Sequence, residues 1–114
     1  MKILITGVCG FIGYSLANEL LLKKNTVYGI DNLNNYYSIS IKKLRLKNLA
    51  QHKKFTFKKI DISNRSTLLS FFKKKKIDII FNLAAQAGVR YSLKEPDKYF
   101  FTNLISFFNI IDLA

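Results

Sequence analysis

With one cysteine in the chain, Cys9, no internal disulfide can form, and a thiolate zinc site lacks its donors. A reducing, cytoplasmic setting is the expectation from such a composition. Long hydrophobic runs are also missing. Nothing approaches the ~18 consecutive apolar residues that span a bilayer, and the apolar start Ile3-Leu4-Ile5 is far shorter than a signal-peptide core. The sequence therefore reads as soluble, with no membrane partner. Acidic residues are few, seven Asp plus Glu against nineteen Lys plus Arg, which leaves a net charge of +12. That excess attracts nucleotides, nucleic acid or anionic surfaces without choosing among them. Lys, Asn, Ile and Phe are abundant while Pro and Gly are scarce, so much of the basicity reads as biased residue usage. No nucleic-acid-binding motif stands out. The sole histidine, His52, lies in a polar Gln51-His52-Lys53-Lys54 turn and reads as solvated. Only five glycines occur, and three of them, Gly7, Gly10 and Gly13, crowd into one short segment.

The hydrophobic pattern changes period repeatedly. Lys2 to Thr6 is a continuous apolar run, as in a strand buried on both faces of a parallel sheet. From Phe11, Ile12, Leu16, Leu20 and Leu21 recur at helical spacing, predicting a helix that ends near Lys24 and Asn25. Strand two follows at Thr26 to Ile30, then a loop over Asn32 to Ser40 and a Lys-rich helix carrying Ile41, Leu44, Leu46 and Leu49. Phe55 to Ile60 alternates apolar with Lys or Thr, which predicts an outer strand partly open to water. Ser63 or Asn64 is placed to cap a third helix running to the Lys73–Lys76 run, whose charges complement a helix carboxyl end. Asp78 to Leu83 is the fourth strand. Ala84 to Lys94 reads as a loop, and Glu95-Pro96 opens a final helix. Apolar residues cover most of that helix's circumference, which predicts burial on more than one side and a role in the core.

Strand and helix thus alternate four times over residues 1–114, one domain or part of one. The prediction is an α/β, Rossmann-like doubly wound parallel sheet, truncated, with strand order 3-2-1-4. Nothing repeats internally. If the sheet stops at strand four, its edge and the apolar last helix lack partners, and self-association is expected.

Gly7-Val8-Cys9-Gly10-Phe11-Ile12-Gly13 joins the first strand to the first helix, where a glycine turn lets backbone N–H groups and the helix amino-terminus meet a pyrophosphate. Gly7 supplies the turn, Gly10 lets phosphates approach, and Gly13 lets helix and strand pack closely. The spacing is G-x-x-G-x-x-G, and its position between strand and helix gives it weight that glycines alone lack. Asp31 ends strand two, 18 residues beyond Gly13. That is close to the ~20 expected of the carboxylate that bonds adenosine ribose hydroxyls; a strand-end turn residue is the alternative. Such an acid repels a 2′-phosphate, and Asn32, Leu33 and Asn34 offer no cation, so NAD is favoured over NADP. Asp61-Ile62 closes strand three within reach of an adenine edge, with capping as the other reading of Asp61. Leu83 ends strand four. Cys9 lies near a helix amino-terminus, which lowers a thiol pKa, yet no base is placed to use it, and a small loop residue is the simpler reading.

On these residues the chain resembles the extended short-chain dehydrogenase/reductase superfamily, in particular its NAD-dependent epimerases and dehydratases of nucleotide sugars. Thr6 to Gly13 is similar to that group's T-G-x-x-G-F-I-G cofactor loop, which brings in Phe11 and Ile12. Asp31-Asn32-Leu33-Asn34-Asn35-Tyr36-Tyr37 and Leu83-Ala84-Ala85-Gln86-Ala87-Gly88-Val89-Arg90-Tyr91-Ser92 resemble UDP-glucuronate 4-epimerases and their capsular-polysaccharide relatives. The resemblance implies oxidation of the sugar C4 hydroxyl by hydride transfer to NAD and return of the hydride to the opposite face. It places Ala84, Ala85 and Gln86 on the nicotinamide side, gives Asn103 a supporting role, and sets Arg90, Tyr91 and Ser92 beside the sugar, where Arg90 reads equally well as a surface cation. A UDP-sugar substrate and a homodimer in the full-length enzyme are implied likewise.

The family's proton-transfer pair is a Tyr with a Lys four residues later, the cation serving to lower the phenol pKa. Tyr14, Tyr28, Tyr36, Tyr37, Tyr91 and Tyr99 are followed at that spacing by Asn18, Asn32, Ser40, Ile41, Glu95 and Asn103. The expectation is therefore an amino-terminal part of such an enzyme, without catalytic residues and inactive by itself. A non-catalytic NAD-binding remnant or sensor is the competing reading. A basic nucleic-acid-binding domain using Lys53-Lys54, Lys58-Lys59 and Lys73 to Lys76 ranks behind both.

Overall fold

The computed structural model describes residues 1–114. Four parallel strands, Lys2–Thr6 (β1), Thr26–Asp31 (β2), Phe55–Lys59 (β3) and Ile79–Asn82 (β4), form one sheet in the order β3-β2-β1-β4. The fold is the α/β, Rossmann-like arrangement that the alternating pattern predicts. β1 is central: Leu4 is in register with Tyr28 on one side and Ile80 on the other.

Successive strand side chains point to opposite faces, so the unbroken apolar run of β1 feeds two cores. Ile3 and Ile5 pack with Val8, Ala17, Leu21, Val27 and Leu49 beneath helices Phe11–Leu22 (α1) and Ile39–Leu49 (α2). Leu4 packs on the other face with Ile30, Ile60, Ile62, Leu68 and Ile110, against Arg65–Lys73 (α3) and the carboxyl-terminal helix. Ser38 accepts from the Ile41 N–H at the start of α2, and Asn64, not Ser63, accepts from the Thr67 N–H at the start of α3. No side chain caps α1, whose N-cap residue is Gly10.

The carboxyl-terminal third departs from the sequence expectation twice. Val89–Lys94, expected within a loop, forms a short helix, α4, none of whose residues is buried. Its exposure leaves it without an apolar stripe, so it carries no periodic signal. The last helix starts at Pro96 as expected (α5, Pro96–Tyr99), widens through a π-helical stretch at Phe100–Ile105 and continues as Ser106–Leu113 (α6). Only Ser106, Asn109 and Ile110 of it are buried, while Phe101 and Phe108 are 55% and 59% exposed. The expected burial on several sides fails because β4 is an edge strand, so no further layer reaches those aromatics. No helix is long and apolar enough to cross a membrane.

Two sets of substitutions separate core from open face. Leu68→Ala removes a fully buried side chain and is expected to cost about 2–5 kcal/mol in urea denaturation. Phe101→Ser with Phe108→Ser should change stability by less than ~0.5 kcal/mol per site while reducing concentration-dependent sedimentation; unchanged sedimentation would show that this face does not drive association.

Candidate functional site

The carboxyl ends of the parallel strands lie on one rim, and the glycine loop rises from the central one. Gly7 holds φ +67, and a Cβ there would lie 2.9 Å from the Ala84 Cα and N. A Cβ on Gly13 would sit 2.2 Å from the Gly7 carbonyl oxygen, so the start of α1 presses directly on the turn. The tight-turn and close-packing roles read from the sequence fit these contacts.

Most of the loop amides already have protein acceptors. Gly7 and Val8 N–H donate to the Ile30 carbonyl at 2.8 and 3.3 Å, and Gly10 N–H to the Gly7 carbonyl at 3.0 Å. Cys9 N–H donates to Asp31 Oδ2 at 3.0 Å. The N–H groups of Phe11, Ile12 and Gly13 have no protein acceptor, and intrahelical bonding begins with Tyr14 N–H to Gly10 O at 2.9 Å. Donors available to an anion are thus those of the first turn of α1, where the helix dipole also favours negative charge. The loop amides around Gly10 are spent on holding the turn.

Asp31 is 8% exposed and accepts from two backbone donors, Cys9 N–H and, through Oδ1 at 2.8 Å, Leu33 N–H. Leu33 itself takes a left-handed φ of 54, uncommon for a branched residue. Asp31 thus makes the turn, and its carboxylate also fronts the cleft. An ionised carboxylate offers about four acceptor sites, so room remains for ligand hydroxyls.

The ends of all four strands line that cleft: Gly7 and Gly10 after β1, Asp31 and Asn32 at β2, Asp61 and Ile62 after β3, and Leu83 to Gln86 after β4. Asp61 Oδ1 accepts from the backbone N–H and the hydroxyl of Ser63, at 2.9 and 2.7 Å, an Asx turn leading into α3. Ala84 N–H donates to Thr6 Oγ1 at 3.0 Å, and that hydroxyl donates to Asn82 Oδ1 at 2.6 Å, locking the ends of β1 and β4 together. Asn103 stands outside the lining and clasps Gln86 from behind, accepting from its N–H at 2.8 Å and donating to its carbonyl at 3.2 Å.

Arg90, Tyr91 and Ser92 sit on α4, outside this lining. The Tyr91 ring lies 4.9 Å from that of Tyr36, a bridge between the segments that follow β2 and β4, and its hydroxyl accepts from Lys98 Nζ at 2.7 Å. Ser92 Oγ donates to the Val89 carbonyl, whereas exposed Arg90 makes no hydrogen bond or ion pair.

Sequence reasoning missed two cations contributed by α2, which meet the tyrosines that precede it. Lys42 lines the cleft beside Asn34, Tyr36 and Tyr37. Arg45 donates to the Cys9 carbonyl and to the Tyr37 hydroxyl, both at 3.0 Å, and Tyr37 donates to the same carbonyl at 3.3 Å. The Tyr36-Tyr37 pair was visible as part of a motif. The two cations had no signal, being lysines and arginines on a lysine-rich helix.

Residues 4–114 match the family model described as GDP-mannose 4,6 dehydratase. Protein CapI of Staphylococcus aureus is 45% identical over 114 residues, all of this chain and 34% of that protein. A UDP-glucuronate 4-epimerase of Thermodesulfobacterium geofontis is 40% identical over 96% of this chain and 34% of its own length. The chain thus spans about a third of the curated relatives it matches. Among solved structures, UDP-glucuronic acid 4-epimerase from Bacillus cereus, in complex with UDP-glucuronic acid and NAD, superposes with a TM-score of 0.86 at 33% identity, covering 99% of this chain and 36% of that one.

Cys9 gives the site a spectroscopic handle. Burial, then the Asp31 charge, push its thiol from 9.0 up to about 12, against smaller opposing effects of Lys42 and Arg45. The lowering expected from the nearby helix terminus is overridden by desolvation. The folded chain should leave a disulfide reagent unconsumed at pH 8 and react fully in urea. Because the unfolded thiol ionises first as pH rises, the Cys9 contribution to stability is intact below pH 9 and declines above it. Cys9→Ser should flatten that decline in melts taken across the alkaline range.

Proposed function

From the premise that the chain belongs to the GDP-mannose 4,6 dehydratase family, we propose that it forms the NAD-binding portion of a nucleotide-sugar 4-epimerase acting on UDP-glucuronate. The observation that carries this reading is the pairing of unbonded Phe11, Ile12 and Gly13 amides with the Asp31 carboxylate on one rim. An anionic diphosphate and a ribose diol, joined as in a dinucleotide, match those two features at once. The outward side of Gly10 supports it, since a Cβ there would meet nothing but the Gly7 carbonyl at 3.1 Å and the Tyr37 hydroxyl at 3.9 Å. A phosphate has room to approach.

In this assignment the first turn of α1 binds the pyrophosphate, Asp31 with Asn32 accepts from the ribose hydroxyls, and Asp61 with Ile62 borders the adenine. Leu83, Ala84, Ala85 and Gln86 form the nicotinamide side, with Gln86 oriented by Asn103. NAD, when bound, supplies the hydride acceptor and donor for oxidation and reduction at the sugar C4. Arg90, Tyr91 and Ser92 border the UDP-sugar, which α4 presents from beyond the cleft. The full-length enzyme works as a cytoplasmic homodimer without nucleic-acid or membrane partners. None of the tyrosines has a lysine at the proton-transfer spacing, so this chain binds cofactor and does not turn over substrate.

Titration calorimetry tests the binding half. NAD should bind with a dissociation constant between micromolar and millimolar, and Asp31→Ala should weaken it by at least ~10-fold, about 1.4 kcal/mol. Gly10→Val should abolish binding while circular dichroism stays unchanged. Wild-type protein that releases no heat with NAD would refute the assignment. UDP-glucuronate incubated with the chain and NAD should yield no UDP-galacturonate.

A further inference from the structure

We infer that Lys42 contacts the adenosine ribose of the dinucleotide and sets the discrimination between NAD and NADP, an inference that rests on the cleft being a dinucleotide site. Lys42 is 5% exposed yet lines the cleft with Asp31, Asn32 and Asn34. Its ammonium donates to the Asn34 carbonyl at 3.1 Å and to Asn34 Oδ1 at 2.9 Å. Both acceptors are neutral, and no carboxylate lies within ion-pairing distance. The Tyr37 ring lies 4.7 Å from Nζ. A buried charge without a counter-ion is costly; one at a cleft wall is compensated when an acceptor enters. An ammonium has three donors, and Asn34 takes two of them. The third remains for a ligand oxygen.

Asp31 and Lys42 therefore present opposite charges on the same stretch of wall. With an unmodified ribose, Asp31 accepts from a hydroxyl and Lys42 donates to a diol oxygen. With a 2′-phosphate, Asp31 repels and Lys42 attracts, so the two largely offset each other. Asp31 and the cation-free residues 32 to 34 favour NAD over NADP in sequence, where a cation brought in from α2 is invisible at that distance. In the folded chain NADP binds as well, with a preference for NAD that is modest.

Dissociation constants for NAD and NADP, measured by calorimetry on wild type, Lys42→Met and Lys42→Arg, test this. Wild type should bind both, with NADP weaker by less than about 30-fold, near 2 kcal/mol. Lys42→Met should widen the NADP-to-NAD ratio by at least ~10-fold, and Lys42→Arg should restore it. A purely structural Lys42 would weaken both cofactors equally, and an unchanged ratio overturns the inference. On wild type alone, NADP affinity should fall more steeply with added salt than NAD affinity, a measurement that stands even where Lys42→Met does not fold; equal slopes count against Lys42. Failure of wild type to bind either cofactor would remove the dinucleotide reading itself, whereas NAD binding with NADP wholly excluded removes only the role given to Lys42.

Discussion

The architecture of the rim depends on one carboxylate accepting from two backbone amides. Asp31 closes β2, takes the Cys9 N–H from the glycine loop and takes the Leu33 N–H from its own turn. Without it, a buried loop amide would have no partner, and the left-handed backbone at Leu33 would lose the bond that rewards it. The loop is what positions the start of α1, and the turn is what sends the chain toward α2. A single side chain thus fixes both the place of the free amides and the place where Lys42 reaches the cleft and Arg45 the loop. Its charge also adds to burial, the larger cause, in keeping the neighbouring Cys9 thiol protonated.

The cations of α2 complete what the loop begins. Arg45 and Tyr37 both donate to the Cys9 carbonyl. They brace the glycine loop through that one acceptor. The large positive charge of the chain is thereby divided. Arg45 and Lys42 have defined partners at the rim, whereas at the end of α3 and its exit Lys73, Lys74 and Lys76 are exposed and Lys75 lies over the Tyr28 ring.

What was legible in the sequence followed from local rules. The strands and their order were readable because a parallel sheet demands continuous apolar runs, and Ile3-Leu4-Ile5 and Ile79-Ile80-Phe81 supply them. The glycine loop was readable because its three glycines each answer a steric demand, two of them confirmed by contacts below 3 Å. Helix α4 was not, since every side chain of Val89–Lys94 is at least partly exposed and periodicity reports only burial. The last helix misled for the converse reason: apolar residues around its circumference imply neighbours, and among residues 1–114 the edge strand β4 has nothing beyond it to cover them. Lys42 and Arg45 were hidden because nothing local distinguishes a lysine that turns inward from the several that do not.

The widened turn at Phe100–Ile105 allows one helix to serve two clients. On one side of it Asn103 holds Gln86, and on the other Asn109 donates to the Ile62 carbonyl at 3.0 Å beneath the sheet. The residues behind β3 and behind β4 are thus tethered to a common rod by two amide side chains, and Ser106 fills the gap between them by donating to the Phe101 carbonyl at 2.8 Å. Regular α-helical winding would turn the two asparagines through a different angle. Loss or gain of one residue in this stretch would leave the rod intact and swing one tether off its target, so its length is under tighter geometric constraint than its exposed phenylalanines suggest.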